Sequence, residues 1–177
     1  GLRDAGELGR ISDQNPIAVD FYFDEGQAGS KASLKIYHHG APVALSRRVP
    51  LLENMGFRVI SERTFEIAGE DGAAPVFLHD MELENSFGRP VDLSDGGELL
   101  QEVFLSAWRG ETDNDGYAAL VQNAGMASSE IQLLRAYGRY LQQAGIPQSQ
   151  GFIAAVLNRH PAITRALFDL FVARFQL

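Results

Sequence analysis

The sequence contains no cysteine in 177 residues. Disulfide staples, thiolate zinc sites and cysteine nucleophiles are excluded together, and an intracellular, cytoplasmic setting is favoured. Lysine is almost as scarce: only Lys31 and Lys35 occur, four residues apart, which leaves little room for amine chemistry elsewhere. No stretch approaches 18 uninterrupted apolar residues, and the N-terminal GLRDAGELGR lacks a signal peptide's apolar centre, so no membrane part is expected. G-x-G-x-x-G, H-E-x-x-H, G-x-S-x-G and a complete EF-hand loop are missing too. GQAGSK at 26–31 has the wrong spacing for a phosphate loop, and DNDG at 113–116 supplies only the acidic start of a calcium loop. A helix N-terminus accounts better for DNDG.

A chain of this length buries about 70% of its unfolded surface, enough for one good core or two small ones. The net charge of −8 opposes a general nucleic-acid role, because the phosphate backbone would be repelled. The charge is uneven. Residues 128–177 set five arginines (135, 139, 159, 165, 174) against Glu130 and Asp169, giving +3, whereas residues 1–127 set ten basic residues against 21 acidic ones, giving −11. Two modules that attract one another or a neighbouring domain explain this most simply. The sequence opens on Gly1 and closes on FVARFQL, with Phe171, Phe175 and Leu177 still in helical phase. A piece of a longer protein is expected, its last apolar stripe meant for a further domain.

The first half alternates strands and helices. IAVDFYF at 17–23 has the period-2 pattern of a half-buried strand, DEGQAGSKAS makes a long connection, and SLKIYHH returns as its antiparallel partner. Ser46 is expected to cap the helix RRVPLLENM, which Gly56 stops in a left-handed conformation. In the strand FRVISERTFEI that follows, Phe57, Val59, Phe65 and Ile67 fall on one side and Arg58, Glu62, Thr64 and Glu66 on the other; this puts polar Ser61 and Arg63 on the side that should be buried. EDGAAP turns the chain into VFLHDMELE, with Phe77, His79, Met81 and Leu83 on one face. Asp95 and Glu98 form the expected capping box of a helix ending at Trp108.

The resulting order is strand, strand, helix, strand, strand, helix. A right-handed crossover through the first helix leaves 34–38 and 57–67 parallel with a gap between them, which VFLHDMELE fills antiparallel to both. The fold class is therefore α+β: a ferredoxin-like four-stranded antiparallel sheet with two helices, in permuted ββαββα order, over residues 1–110. An all-α module is expected over 111–177, with helices closed by Gly125 and Gly145, a third over SQGFIAAVLNRH and a fourth opened by Pro161.

Candidate chemistry is thin. His38-His39 and His79-Asp80 are the best metal or acid–base candidates, but neighbours in a strand point to opposite faces. Histidines at the core edge with satisfied nitrogens are the better reading. Glu82 and Glu84 share a strand face with Asp80 as a solvated acidic stripe rather than a glycosidase-like pair. Ser61 and Arg63 either lie where the strand twists clear of the helices or face a partner chain or small ligand.

The words SLKIYHHGAPVALSRRVPLLENMGFRVISERTFEI, FLHDMELE, WRGETDNDGYAALVQNAG, LLRAYGRYLQQAGIPQSQGFIAAVLNRHP and LFDLFVARFQ, in this order, closely resemble the large bacterial NAD-specific glutamate dehydrogenases from about residue 5 to the end. The resemblance implies a parent enzyme that oxidatively deaminates L-glutamate to 2-oxoglutarate and ammonium with NAD, as a homo-oligomer. It implies that this segment is similar to the last ACT-like domain and the helical motif after it. The catalytic lysines and the dinucleotide fingerprint belong to a later part of such chains, so no catalytic, cofactor or metal residue is carried over here. Relatives tend to open the 128–143 helix with an S-x-x-E box; Ala127-Ser128-Ser129-Glu130 departs from it, and the cap is expected to move to Ser128.

Three functional readings follow. In the first, the segment is an amino-acid sensor, its effector held where a strand leads to a helix at HGAPVALS, 39–46. His39, Gly40 and Ser46 are the candidates there, with Asn54 and Arg63 as secondary polar contacts. Gly40 permits close backbone approach to a ligand, though a turn also explains it. In the second, it is a scaffold for the remaining domains and subunits of the parent, with no ligand. The third, a freestanding enzyme, needs a constellation that the sequence does not contain.

Overall fold

The computed structural model describes residues 11–24, 29–69 and 73–175. The parts of the expected hairpin connection at 25–28 and turn at 70–72, and Leu177 of the terminal stripe, lie outside them. The chain divides into two compact units, residues 1–50 with 57–97, and residues 51–56 with 98–177.

The first unit carries one antiparallel sheet. Strands β1 (Ile17–Tyr22), β2 (Lys31–His39), β3 (Phe57–Ile67) and β4 (Val76–Asn85) lie in the order β1-β2-β4-β3. β4 fills the gap between the parallel β2 and β3, as the crossover argument requires, and β1 pairs outside β2. Alternation sets the inner face. Val19, Ile36 and His79 stand in one cross-strand row and Phe21, Leu34 and Met81 in the next, all buried. Ala32, Leu83 and Phe57 extend the same face, with the Phe57 ring stacked on Phe21 at 5.7 Å.

β3 departs from its expected phase. Val59 pairs with Leu83 but Ser61 pairs with Glu82, so Ile60 is an extra residue, a β-bulge. A one-residue slip moves every later side chain to the other face. Glu62 and Thr64, expected outward, therefore stand beside Met81 and His79 on the inner face. Ser61, Arg63 and Phe65 pair with Glu82, Asp80 and Leu78 on the outer one. Phe65 is 47% exposed in consequence. This resolves the anomaly of polar Ser61 and Arg63 at inward positions.

Helix α1 (Leu45–Asn54) joins β2 to β3 and contributes to both units. It starts earlier than expected. The Arg47 and Arg48 amides bond the Ala44 carbonyl, so Ser46 lies in the first turn and does not cap it. Gly56, at φ 84°, takes the left-handed conformation expected of the residue that ends the helix.

The second unit is helical. It comprises α2 (Glu98–Trp108), a 3-10 turn (Gly116–Ala119), α3 (Leu120–Ala124), α4 (Ser128–Gln143), α5 (Gln150–Arg159) and α6 (Pro161–Phe175). Asp95 accepts the Gly97 amide at 2.8 Å in an Asx turn just before α2. Ala127, and not Ser128, is the N-cap residue of α4, and Glu130 reaches back to its amide at 2.9 Å. Ser149 caps α5 through the Phe152 amide, while Gly125 and Gly145 close α3 and α4 with positive φ. Leu100, Val103, Phe104, Tyr117, Leu120, Met126, Ile131 and Ala154 are buried in this unit.

Gly138 in α4 is held by packing. A Cβ there would lie 2.2 Å from the Tyr117 hydroxyl and 2.7 Å from the Gln150 side-chain oxygen, which already hydrogen-bond each other at 2.8 Å. Tyr117 is buried, so Gly138→Ala must displace that pair. A loss of about 1–3 kcal/mol is expected in denaturant unfolding, against the gain of about 1 kcal/mol that helix propensity alone would give.

Candidate functional site

The loop between β2 and α1 meets the inner face of the sheet at a buried polar cluster. His79, 1% exposed, reaches it from β4, Glu62 and Thr64 from β3, and Arg48, 3% exposed, from α1. The bulge at Ile60 is what turns Glu62 and Thr64 inward to meet the other two.

Each group has a defined part. The Val43 amide donates to His79 Nε2 at 3.0 Å, so that nitrogen must keep its lone pair and the ring proton sits on Nδ1. Nδ1 lies 2.9 Å from Thr64 Oγ1 and 3.2 Å from Glu62 Oε1, and Thr64 donates to Glu62 at 3.0 Å. Arg48 donates to the Val43 carbonyl and to Glu62. Both backbone polar groups of Val43 are thus held by buried side chains. Arg48 Nε is the one buried side-chain polar atom among the described residues with no hydrogen-bond partner.

The electrostatics follow the geometry. Burial, then the Arg48 charge, hold the His79 imidazole below its ordinary value, and Glu62 opposes them without reversing the direction. Burial pushes Glu62 upward, but hydrogen bonds from Arg48 and Thr64, with the Arg48 charge, bring its carboxyl below the usual range. The cluster rests as a neutral imidazole beside an ion pair. It holds a loop in place and presents no nucleophile.

The sequence candidates are distributed around this cluster. His39 ends β2, its Nδ1 3.1 Å from Asp13. Gly40 follows with φ 78° and open space where a side chain would stand, its amide bonded to the Pro75 carbonyl at 2.8 Å. Ser46 is exposed in the first turn of α1. Arg63 lies on the outer sheet face, 3.3 Å from Asp80. Asn54 belongs to the helical unit, where it donates to Asn114. His38 bonds the Ala41 carbonyl at 2.8 Å and His79 is fully satisfied, in keeping with core-edge histidines.

Sequence reasoning missed Arg48 and Glu62. The only available signal for Glu62 was the failed alternation at 61–64.

The outer sheet face differs from a solvated acidic stripe. Glu82 pairs with Lys31 at 3.1 Å, Glu84 with Arg58 at 3.2 Å, and Asp80 accepts from Tyr22 at 3.0 Å. Burial, then Asp80, raise the Tyr22 phenol. A recess of about 230 Å³ among Asp24, Ser33, Ser61, Arg63, Asp80 and Glu82 opens on this face.

In the helical unit Asp115 accepts two hydrogen bonds from Arg135, at 2.8 and 2.9 Å, and caps the 3-10 turn through the Tyr117 amide. That is the helix N-terminus expected of DNDG. A separate apolar groove of about 480 Å³ runs between α4, α5 and α6, lined by Leu133, Tyr137, Leu141, Leu157, Leu167 and Phe171 among others. No helix among the described residues is long and apolar enough to cross a membrane.

Two family models match the chain: the ACT3 domain of glutamate dehydrogenase over residues 16–95, and helical motif 3 of glutamate dehydrogenase over 112–177. Three relatives are NAD-specific glutamate dehydrogenases. The Halomonas elongata protein is 38% identical over 97% of this chain and 10% of its own length. The Pseudomonas aeruginosa protein is 36% identical over 98% of this chain and 11% of its own. The Mycobacterium tuberculosis protein is 33% identical over 96% and 11%. The chain thus spans about a tenth of the length of these relatives. With an antiparallel ACT-like sheet where the ACT3 model matches and helices where the helical-motif model matches, the chain belongs to the NAD-specific glutamate dehydrogenase family, as a segment that carries the ACT3 domain and helical motif 3.

Proposed function

We propose that this segment is a non-catalytic, regulatory and scaffolding part of a cytoplasmic, homo-oligomeric NAD-specific glutamate dehydrogenase. The parent converts L-glutamate and NAD to 2-oxoglutarate, ammonium and NADH, and NAD is held outside the segment. The ACT-like domain occupies residues 1–110 and the helical module 111–177. The observation that carries this reading is a likeness of 33–38% over nearly the whole chain that takes up only a tenth of each relative. Partners are accordingly the remaining domains and subunits of the parent.

Regulation acts at the loop after β2. Open space at Gly40 and the exposed hydroxyl of Ser46 suit the carboxylate and ammonium of an amino-acid effector, with His39 as a further polar contact; Arg63, paired with Asp80 on the outer sheet face, and Asn54, bonded to Asn114 in the helical unit, are not assigned to it. A purely structural role without ligand is favoured by a different observation, the groove between α4, α5 and α6. Leu167, 50% exposed, lines it, and Phe175, 58% exposed, lies at its end. Exposed apolar area of this kind marks a surface that another part of the protein covers.

A thermal-shift panel with L-glutamate, L-aspartate, L-arginine, 2-oxoglutarate and NAD tests both readings. One amino acid, at about 100 times its dissociation constant, should add roughly 2.7 kcal/mol, or about 5–10 °C. Ser46→Ala should remove that shift. No shift with any compound supports the structural role, and glutamate-dependent NADH formation by the chain alone would overturn the non-catalytic reading.

A further inference from the structure

Loop 40–44 is fastened to the sheet through Val43, whose amide and carbonyl are both taken by buried side chains, His79 and Arg48. One of these fasteners depends on a lone pair. We propose that neutral His79 is an acid-releasable latch on this loop: a proton added at Nε2 ejects the Val43 amide and frees loop 40–44 while the sheet stays folded. The latch works whether or not a ligand binds the loop.

The geometry leaves the added proton no acceptor. Nε2–H would face the Val43 N–H, donor against donor, at the present 3.0 Å. The Val43 carbonyl is already occupied by Arg48, whose guanidinium lies 3.3 Å from Nε2. The groups facing the ring are Arg48 from α1, His38 from β2, and Glu62 and Thr64 from β3; β4's own neighbours on this face are Phe77 and Met81. Glu62 at 3.2 Å favours an imidazolium, but its carboxylate is shared with Arg48 and Thr64. One carboxylate would then serve two buried cations. Displacing a short exposed loop costs less than leaving that charge and the facing donors buried.

The sign is fixed by linkage. With a folded value below 6.5, His79 contributes stability to the closed loop that is fully present above about pH 6.5 and is lost as pH falls toward the folded value. Glu62, also depressed, stays ionised through that window and weakens the cluster only below about pH 4.5. The loop should therefore open one step before the ion pair is lost.

Amide exchange resolved by residue on the 177-residue chain, expressed as protection factors between pH 8 and pH 5, tests this. The Val43 amide should be protected at pH 7.5 and lose protection by pH 5.5, up to the limit of about tenfold that one group with an ordinary value of 6.5 can yield over this interval, while Ile36 in β2 keeps its own. His79→Gln, whose amide oxygen can accept from Val43 but does not titrate in this range, should hold Val43 protection constant over the same interval. Imidazole nitrogen shifts of the unmodified chain supply a readout independent of that variant: the Nδ1–H tautomer is expected at pH 7.5, with its titration tracking Val43. Constant Val43 protection, parallel loss at Val43 and Ile36, or an Nε2–H tautomer at pH 7.5 would each overturn the latch.

Discussion

Arg48→Ala should cost about 3–5 kcal/mol, read as a lower denaturant midpoint at unchanged slope. The guanidinium is 3% exposed and bonds the Val43 carbonyl and Glu62. Its removal leaves a carboxylate with a 16% exposed side chain on the inner sheet face with only Thr64 and His79 to satisfy it. Most of the loss is the penalty for that orphaned charge rather than the strength of the pair. The double variant Arg48→Met with Glu62→Leu should therefore recover at least half of it, because two apolar side chains of similar volume need no partner. A single-variant cost below about 1 kcal/mol would mean that water reaches the cluster.

Arg135→Ala should have the largest effect in the helical unit, about 2–3 kcal/mol. Its side chain is 6% exposed and grips Asp115 with two nitrogens, while the guanidinium also lies over the Tyr117 ring at 5.6 Å. Asp115 is 35% exposed, so solvent meets part of the loss and the value falls below that of a wholly buried pair. Lysine at 135 should not restore it, since a point charge cannot reproduce the two-pronged contact. Arg139 provides the control. It pairs with Asp113, but both side chains are more than half exposed, and Arg139→Ala should change stability by no more than about 0.5 kcal/mol.

The sheet was legible because its cues are local and its connectivity has few solutions. Period-2 apolar runs marked the strands, and right-handed crossover placed β4 between β2 and β3. Helix limits were legible to within a residue or two. At Ser46 and Ser128, however, the capping preference of serine misplaced the cap by a residue or more, because the helices start at Leu45 and after Ala127. The polar cluster was not legible. Arg48 and Glu62 are 14 residues apart and Arg48 and His79 are 31 apart, and no spacing rule joins them before the sheet is built. The bulge carries no glycine to announce it. Its trace was the apparent error itself, polar Ser61 and Arg63 at positions that alternation assigned to the core. The Arg135–Asp115 pair was hidden in the same way, by a separation of 20 residues across several helical elements.

The extra residue in β3 also constrains how related chains can differ in length. Val59 and Ser61 already pair with the consecutive Leu83 and Glu82, so loss of Ile60 would leave a regular strand with Glu62 and Thr64 still inward and Ser61, Arg63 and Phe65 still outward. Position 60 is therefore a place where a homologue can be one residue shorter without exchanging the faces of the strand. A deletion in the unbulged β4 has no such slack, because a one-residue slip there would turn every side chain on one side of it to the opposite face.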